Sequence, residues 1–216
     1  MKKVVSFDLD GTLVDAQYGE LVWNHGIPTE YSRVHDIPFE DAKSYIRGEY
    51  ESVGDGDIRW YEIGHWLDRF GLDVPAPVLL DRYESHIALC PHSREVLEAL
   101  GERYTLVIAS NAARIFVDKE LSHTGLTGFF TRIVSATTDY GLVKKKEEFF
   151  QRLCGEMGVS AEDVVHVGDH PVFDHDVPAA LGIESYHVDD RYVRNGAVSL
   201  ARRTITDLEE LLEVLL

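Results

Sequence analysis

The 216-residue chain reads as an α/β protein, a parallel sheet flanked by helices and interrupted near its start by a helical insertion. Three observations predict this. Val4 to Phe7, Thr105 to Ala109 and Val164 to Val167 are short, predominantly apolar runs, the kind buried on both faces of a parallel sheet. Segments of helical periodicity alternate with them, as βαβ units require. Residues 17 to about 88, by contrast, hold all three tryptophans, most of the tyrosines and no convincing strand.

After the first strand, one or two helices are expected around 18–26. Phe39, Ala42, Ile46 and Tyr50 then recur near helical spacing, which predicts an amphipathic helix over 39–52, broken by Val53-Gly54-Asp55-Gly56. Asp57 is the expected N-cap of a helix running to Phe70, with Gly71 as its stop, and Pro75 and Pro77 open another through about Ala88. From Pro91 the regime changes. A helix over 93–103 turns Val96, Leu97 and Leu100 inward and leads into the strand at 105–109. There follow a helix to about 123, a short strand at Ile133-Val134, a helix over 146–157 ending near Gly158, the strand at 164–167, and a helix around 176–181 stopped by Gly182. Tyr186 to Val188 is read as an edge strand, and Thr206-Asp-Leu-Glu209 as a capping box opening the last helix.

Bulk properties narrow the function. A net charge of −17, from 38 acidic and 21 basic residues, argues against nucleic acid or an anionic membrane as partner. No apolar stretch approaches the ~20 residues that span a bilayer, and the N-terminus enters a strand with no signal-peptide pattern, so cytoplasm is the expectation. Cys90 and Cys154 lie far apart without metal-site spacing and are expected to be free thiols.

Four stretches carry chemistry. In Val4-Val5-Ser6-Phe7-Asp8-Leu9-Asp10-Gly11-Thr12, two carboxylates follow the apolar strand, on one face of an extended chain. Ligands of open α/β sheets sit outside the carboxyl ends of strands. Two carboxylates so close repel unless a cation lies between them or one holds a proton. A hard cation such as Mg²⁺ would take one of them, and a carboxylate can also act as nucleophile. A bare Asp-x-Asp is commonplace in surface turns; Asp-x-Asp-Gly-Thr after an apolar strand is far more specific. Second, Ser110 and Asn111 end the strand at 105–109, where they could hold an anion or simply cap a helix. Third, Lys144 opens Lys144-Lys145-Lys146 before a helix, where its charge sits badly with the helix dipole unless an anion is near. Fourth, in Gly168-Asp169-His-Pro-Val-Phe-Asp174, Asp169 and Asp174 can converge on the cation, with Asp176 a weaker candidate. The spacing of His166, His170 and His175 fits no zinc pattern; His166 is expected in the core.

In order and spacing, Asp-x-Asp-Gly-Thr, the Ser110-Asn111 strand end, a lysine and Gly-Asp-x-x-x-x-Asp resemble the motifs of the haloacid dehalogenase superfamily, over the whole chain. The resemblance implies a Rossmann-like catalytic core from 1–16 and 89–216 with a mobile helical cap from 17–88. It also implies a Mg²⁺-dependent phosphatase acting on a small phosphorylated substrate, as a monomer or homodimer. In that pattern Asp8 is the nucleophile and forms an aspartyl-phosphate, and Asp10 is the general acid and base. Mg²⁺ binds Asp8, the carbonyl of Asp10 and Asp169, with Asp174 beside it; Ser110, the backbone of Asn111 and Lys144 hold the phosphoryl oxygens. The family usually has Pro after that lysine, where this chain has Lys145. Lys144 is placed by its spacing to Gly141 and Phe150. A 2-haloacid dehalogenase would use the same nucleophile without metal but usually lacks the acid at Asp10. A phosphomutase differs only in its product, and a non-catalytic binding module would not need every position filled. Arg47, Arg59, Trp23 and Trp60 are the cap candidates for contacting substrate.

Overall fold

The computed structural model describes residues 2–189 and 203–216. Six parallel strands form one sheet in the order β3-β2-β1-β4-β5-β6. They are β1 (Val4–Phe7), β2 (Thr105–Ser110), β3 (Arg132–Ser135), β4 (Val164–Gly168), β5 (Glu184–Val188) and β6 (Thr204–Ile205). β1 is central, with β2 on one side and β4 on the other, in register Phe7–Ile108 and Phe7–Val167. All four residues of β1 are buried, as a strand covered on both faces must be. The chain therefore reverses direction across the sheet at β1, and the carboxyl ends of β1, β2 and β4 face the crevice where such folds bind ligands.

Between β1 and β2 the described chain is helical: α1 (Gln17–Leu21), a wider π-type turn (Val22–Gly26), α2 (Ile27–His35), α3 (Phe39–Val53), α4 (Ile63–Arg69), α5 (Ala76–Asp81) and, nearest β2, α6 (Ser93–Gly101). The first helical stretch runs to His35, well past the expected 26, because Pro28 falls in the first turn of α2, where its missing N–H costs nothing. The helix expected over 57–70 is interrupted at Glu62. Asp57 caps a short 3₁₀ turn, Ile58–Tyr61, and α4 starts afresh at Ile63. The two ends of the insertion lie side by side: Asp15 N–H donates to Ala88 O at 2.9 Å and Cys90 N–H to Leu13 O at 3.0 Å.

After β2 come α7 (Arg114–Thr124), α8 (Ala136–Tyr140), α9 (Glu147–Met157), α10 (Val177–Ala180) and α11 (Glu210–Leu215). β5 is not the edge, since β6 pairs beside it. The cap of α11 uses Glu210 rather than Glu209: its Oε1 accepts from the N–H and hydroxyl of Thr206, both at 2.8 Å. A second π-type turn, Pro171–Asp176, leads into α10 and sets the position of Asp174.

Candidate active site

β1 ends at Phe7, and the Asp8 N–H still pairs with Val167 O at 2.8 Å, so Asp8 continues the sheet's edge. Leu9 then folds inward and Gly11, at φ +76°, turns the chain. A Cβ on Gly11 would lie 2.6 Å from Asp169 Oδ2, so glycine is required both by backbone conformation and by the approach of that carboxylate. Gly168 is similarly confined: a Cβ there would sit 2.6 Å from Asp174 Oδ2. These two glycines let three carboxylates crowd together. One carboxylate oxygen from each of Asp8, Asp169 and Asp174 lies within 4.8 Å of the others.

A single ammonium meets them. Lys145 is wholly buried; its Nζ donates to Asp8 Oδ1 and to Ala109 O at 2.8 Å, and pairs with Asp174 Oδ1 at 2.5 Å. Spacing to Gly141 and Phe150 points to Lys144, and the structure places Lys145 there instead. No helix starts at 144. Lys144 adopts a left-handed conformation, φ +70°, which reverses the chain and turns the next residue inward, and α9 begins only at Glu147. The Lys145 N–H is held by Asn111 Oδ1 at 2.7 Å. Lys144 instead pairs with Asp55 of the helical insertion and lies 5.2 Å from the Phe173 ring centroid. Besides the backbone role expected of it, Asn111 uses its side chain to fix Lys145.

Asp174 is the buried anchor. Its Oδ1 accepts from His166 Nε2 and its Oδ2 from the His170 N–H, each at 3.0 Å. His166, in the core as expected, also meets Ser6 Oγ at 3.0 Å. Burial lowers the His166 pKa against the pull of Asp174, and the imidazole positions the Asp174 carboxylate. Burial opposes the charge of Asp174, but Lys145 and His166 hold its carboxyl below the usual range. Burial likewise opposes the charge of Lys145, yet Asp174 and Asp8 raise its pKa above the ordinary lysine value. Asp8 is raised well above the usual range by burial, with Asp174 and Asp169 adding to the effect of burial against the pull of Lys145. Asp169 is pushed up to about 6, by burial and then by the charge of Asp174. Three carboxylates against one ammonium leave excess negative charge, and every donor is a hard oxygen. The set fits a divalent cation of the Mg²⁺ kind.

Ser110, buried at the end of β2, accepts the Ala112 N–H at 3.0 Å. Asp10 is half-buried beside α1, with its carboxyl raised by burial. Sequence reasoning missed its neighbour. Glu120 on α7 is wholly buried, its carboxyl is raised well above the usual range by burial and by the charge of Asp10, and neither of its carboxylate oxygens has a hydrogen-bond partner among the described residues. Nothing in the surrounding α7 sequence signals it, since helical spacing alone does not say which face meets β1. Asp176, the weaker candidate, is exposed and bonds His175 Nδ1 at 3.0 Å, away from the cluster.

A model of the haloacid dehalogenase-like hydrolases matches residues 2–182. The chain belongs to this family. Among similar haloacid dehalogenase-like proteins is the GMP/IMP nucleotidase YrfG of Escherichia coli, 25% identical over 219 residues that cover 94% of each chain. Another is the glyceraldehyde 3-phosphate phosphatase of Methanocaldococcus jannaschii, 23% identical over 99% of this chain and 97% of its own. The crystal structure of a phosphatase of the family from Thermococcus onnurineus shares the fold at a TM-score of 0.84, with 24% identity over 100% of this chain and 98% of that one. No helix among the described residues is long and apolar enough to cross a membrane.

Proposed function

We propose that this hydrolase is a Mg²⁺-dependent phosphatase, cleaving a small phosphate monoester through an aspartyl-phosphate on Asp8. The observation that carries the reading is the crowding of Asp8, Asp169 and Asp174 beyond the ends of adjacent strands, with Asp8 and Asp174 paired to one buried ammonium. The similar proteins named as a nucleotidase and as a phosphatase support a phosphate ester as substrate.

In this reading an Asp8 oxygen attacks phosphorus and the ester P–O bond breaks. Asp10, two residues on and raised by burial toward the protonated form, gives its proton to the leaving oxygen. Asp10 then takes a proton from the water that attacks the aspartyl-phosphate, which returns Asp8 as a carboxylate and releases phosphate. Lys145 offsets charge on the phosphoryl oxygens, and the Ser110 hydroxyl and the Asn111 backbone orient them. When bound, Mg²⁺ would be held by Asp8, the main-chain carbonyl of Asp10 and Asp169, with Asp174 beside it, and would neutralise further phosphoryl charge.

Residues 17–88 act in this account as a cap over the core of 1–16 and 89–216. The paired ends at Asp15 and Ala88 suit a hinge, and Lys144 and Lys119 reach ion pairs with Asp55, and with Asp81 and Glu84, of the insertion. The test is phosphate release from a panel of phosphate esters with Mg²⁺ and after chelation. Turnover should require the metal. Undiminished turnover in chelator would remove the metal from the mechanism, and halide release from a 2-haloacid without phosphate release would favour a dehalogenase.

A further inference from the structure

Asp10 opens onto a cavity of about 240 Å³, walled chiefly by Trp23, Trp60, Tyr61 and Phe116. A second cavity of about 290 Å³ continues past the same two tryptophans to Glu20, Asn24 and Tyr50. The walls are fixed by their own packing. Trp23 stacks on Phe116 at 5.5 Å between centroids with a 19° interplanar angle, and meets Tyr50 edge-on at 6.0 Å. Trp60 meets Tyr61 edge-on at 5.0 Å, and its carbonyl accepts from Trp66 Nε1 at 3.2 Å. Preformed aromatic walls with a few polar groups are what a flat apolar ligand needs.

The polar groups are as informative as the walls. Among the described residues lining the two cavities there is no Lys, Arg or His, while Glu20 lines both and Asn24 lines the outer one. Ionised Glu20 only accepts hydrogen bonds, and the Asn24 amide both donates and accepts. A leaving group whose second anion stays within these two cavities would meet a carboxylate and no cation, a repulsion against that class, while Lys43, Arg47 and His25 line neighbouring cavities that share Asn24. A leaving group presenting N–H or O–H donors would find an acceptor.

We propose that the tryptophan-walled slot beside Asp10 receives the leaving alcohol, and that this alcohol carries a flat, uncharged ring with hydrogen-bond donors rather than a second anionic group. The placement deepens the phosphatase reading and rests on it: the oxygen that Asp10 protonates belongs to whatever fills a slot that Asp10 itself lines.

The experiment compares kcat/KM with Mg²⁺ for a purine nucleoside 5′-monophosphate, 2-phosphoglycolate and acetyl phosphate, which has neither ring nor second anion. In parallel, the unphosphorylated purine nucleoside is titrated by tryptophan fluorescence against wild type, Trp60→Ala and Trp60→Phe. The ring ester should exceed 2-phosphoglycolate by more than tenfold. Trp60→Ala should cut the ratio of ring ester to acetyl phosphate about tenfold, the scale of one lost aromatic contact, and Trp60→Phe should restore part of it. Glu20→Lys should shift preference toward 2-phosphoglycolate by several-fold. Turnover of acetyl phosphate with no preference for the ring ester, or a ratio indifferent to Trp60→Ala, overturns the slot and leaves the phosphatase reading standing. No phosphate release from any ester overturns the phosphatase reading, and the titration then decides the slot alone. Quenching that is lost in Trp60→Ala keeps it as a ring-binding site, and absence of quenching in wild type removes it.

Discussion

Lys145 sits wholly buried between two carboxylates, while Lys144, one residue earlier, faces the helical insertion. Removing Lys145 leaves Asp8 and Asp174 buried without their counter-charge. Lys145→Ala should lower kcat on the order of 10²–10³-fold, as for one preorganised charge-stabilising group. Lys144→Ala should cost less than about tenfold, because a half-exposed ion pair is worth about 0–1 kcal/mol. Steady-state kinetics on both variants, with folding checked by circular dichroism, measures the contrast. Gly168→Ala should destabilise by about 1–3 kcal/mol, the usual cost of overpacking, because its Cβ would press on an Asp174 carboxylate already pinned from both sides. Thermal unfolding reads that loss. The three carboxylates that the structure brings together, Asp8, Asp169 and Asp174, were legible as a candidate cluster because each follows a readable apolar strand within a few residues. The lysine register was not, since it depends on a left-handed residue and on a side-chain bond from Asn111, 34 positions earlier.

At the scale of elements, the sheet was legible because β1, β2 and β4 are short, predominantly apolar runs, whereas the insertion's helices were read with blurred ends. Two π-type turns, Val22–Gly26 and Pro171–Asp176, have no propensity signature, yet they carry Trp23 and Asp174. Glu30 on α2 shows how the insertion holds itself together. It is only 4% exposed and accepts from Arg33 at 2.9 Å and from Arg82, just past α5. Burial alone would raise its carboxyl, but the two arginines hold it below the usual glutamate range. A lowered folded-state value means the pair stabilises the fold at pH above the ordinary glutamate range, and that this contribution fades as pH falls through the lowered value. Glu30→Gln should therefore cost about 1–2 kcal/mol at pH 7, discounted because both arginines are largely in water, and the difference from wild type should shrink in acid. Chemical denaturation at two pH values checks the sign; a difference that grows in acid would contradict it.

For the whole molecule, the sheet brings β1, β2 and β4 to one crevice, and the insertion rises from two adjacent strands beside it. Excess negative charge in that crevice should make the folded state bind Mg²⁺ and gain stability by mass action, about 2.7 kcal/mol at a hundredfold excess over Kd. Differential scanning fluorimetry should show Tm rising with Mg²⁺ in wild type and little change in Asp169→Asn. The phosphatase reading turns on attack at phosphorus by Asp8. The most direct measurement is mass spectrometry of the peptide containing Asp8 after rapid acid quench during turnover of an activated phosphate ester, in wild type and in Asp10→Asn, where slower hydrolysis should let the adduct build up. A phosphoryl group on Asp8, absent in Asp8→Asn, is the predicted result; an adduct on Asp10 or Asp169, or turnover with no adduct on any aspartate, would contradict it.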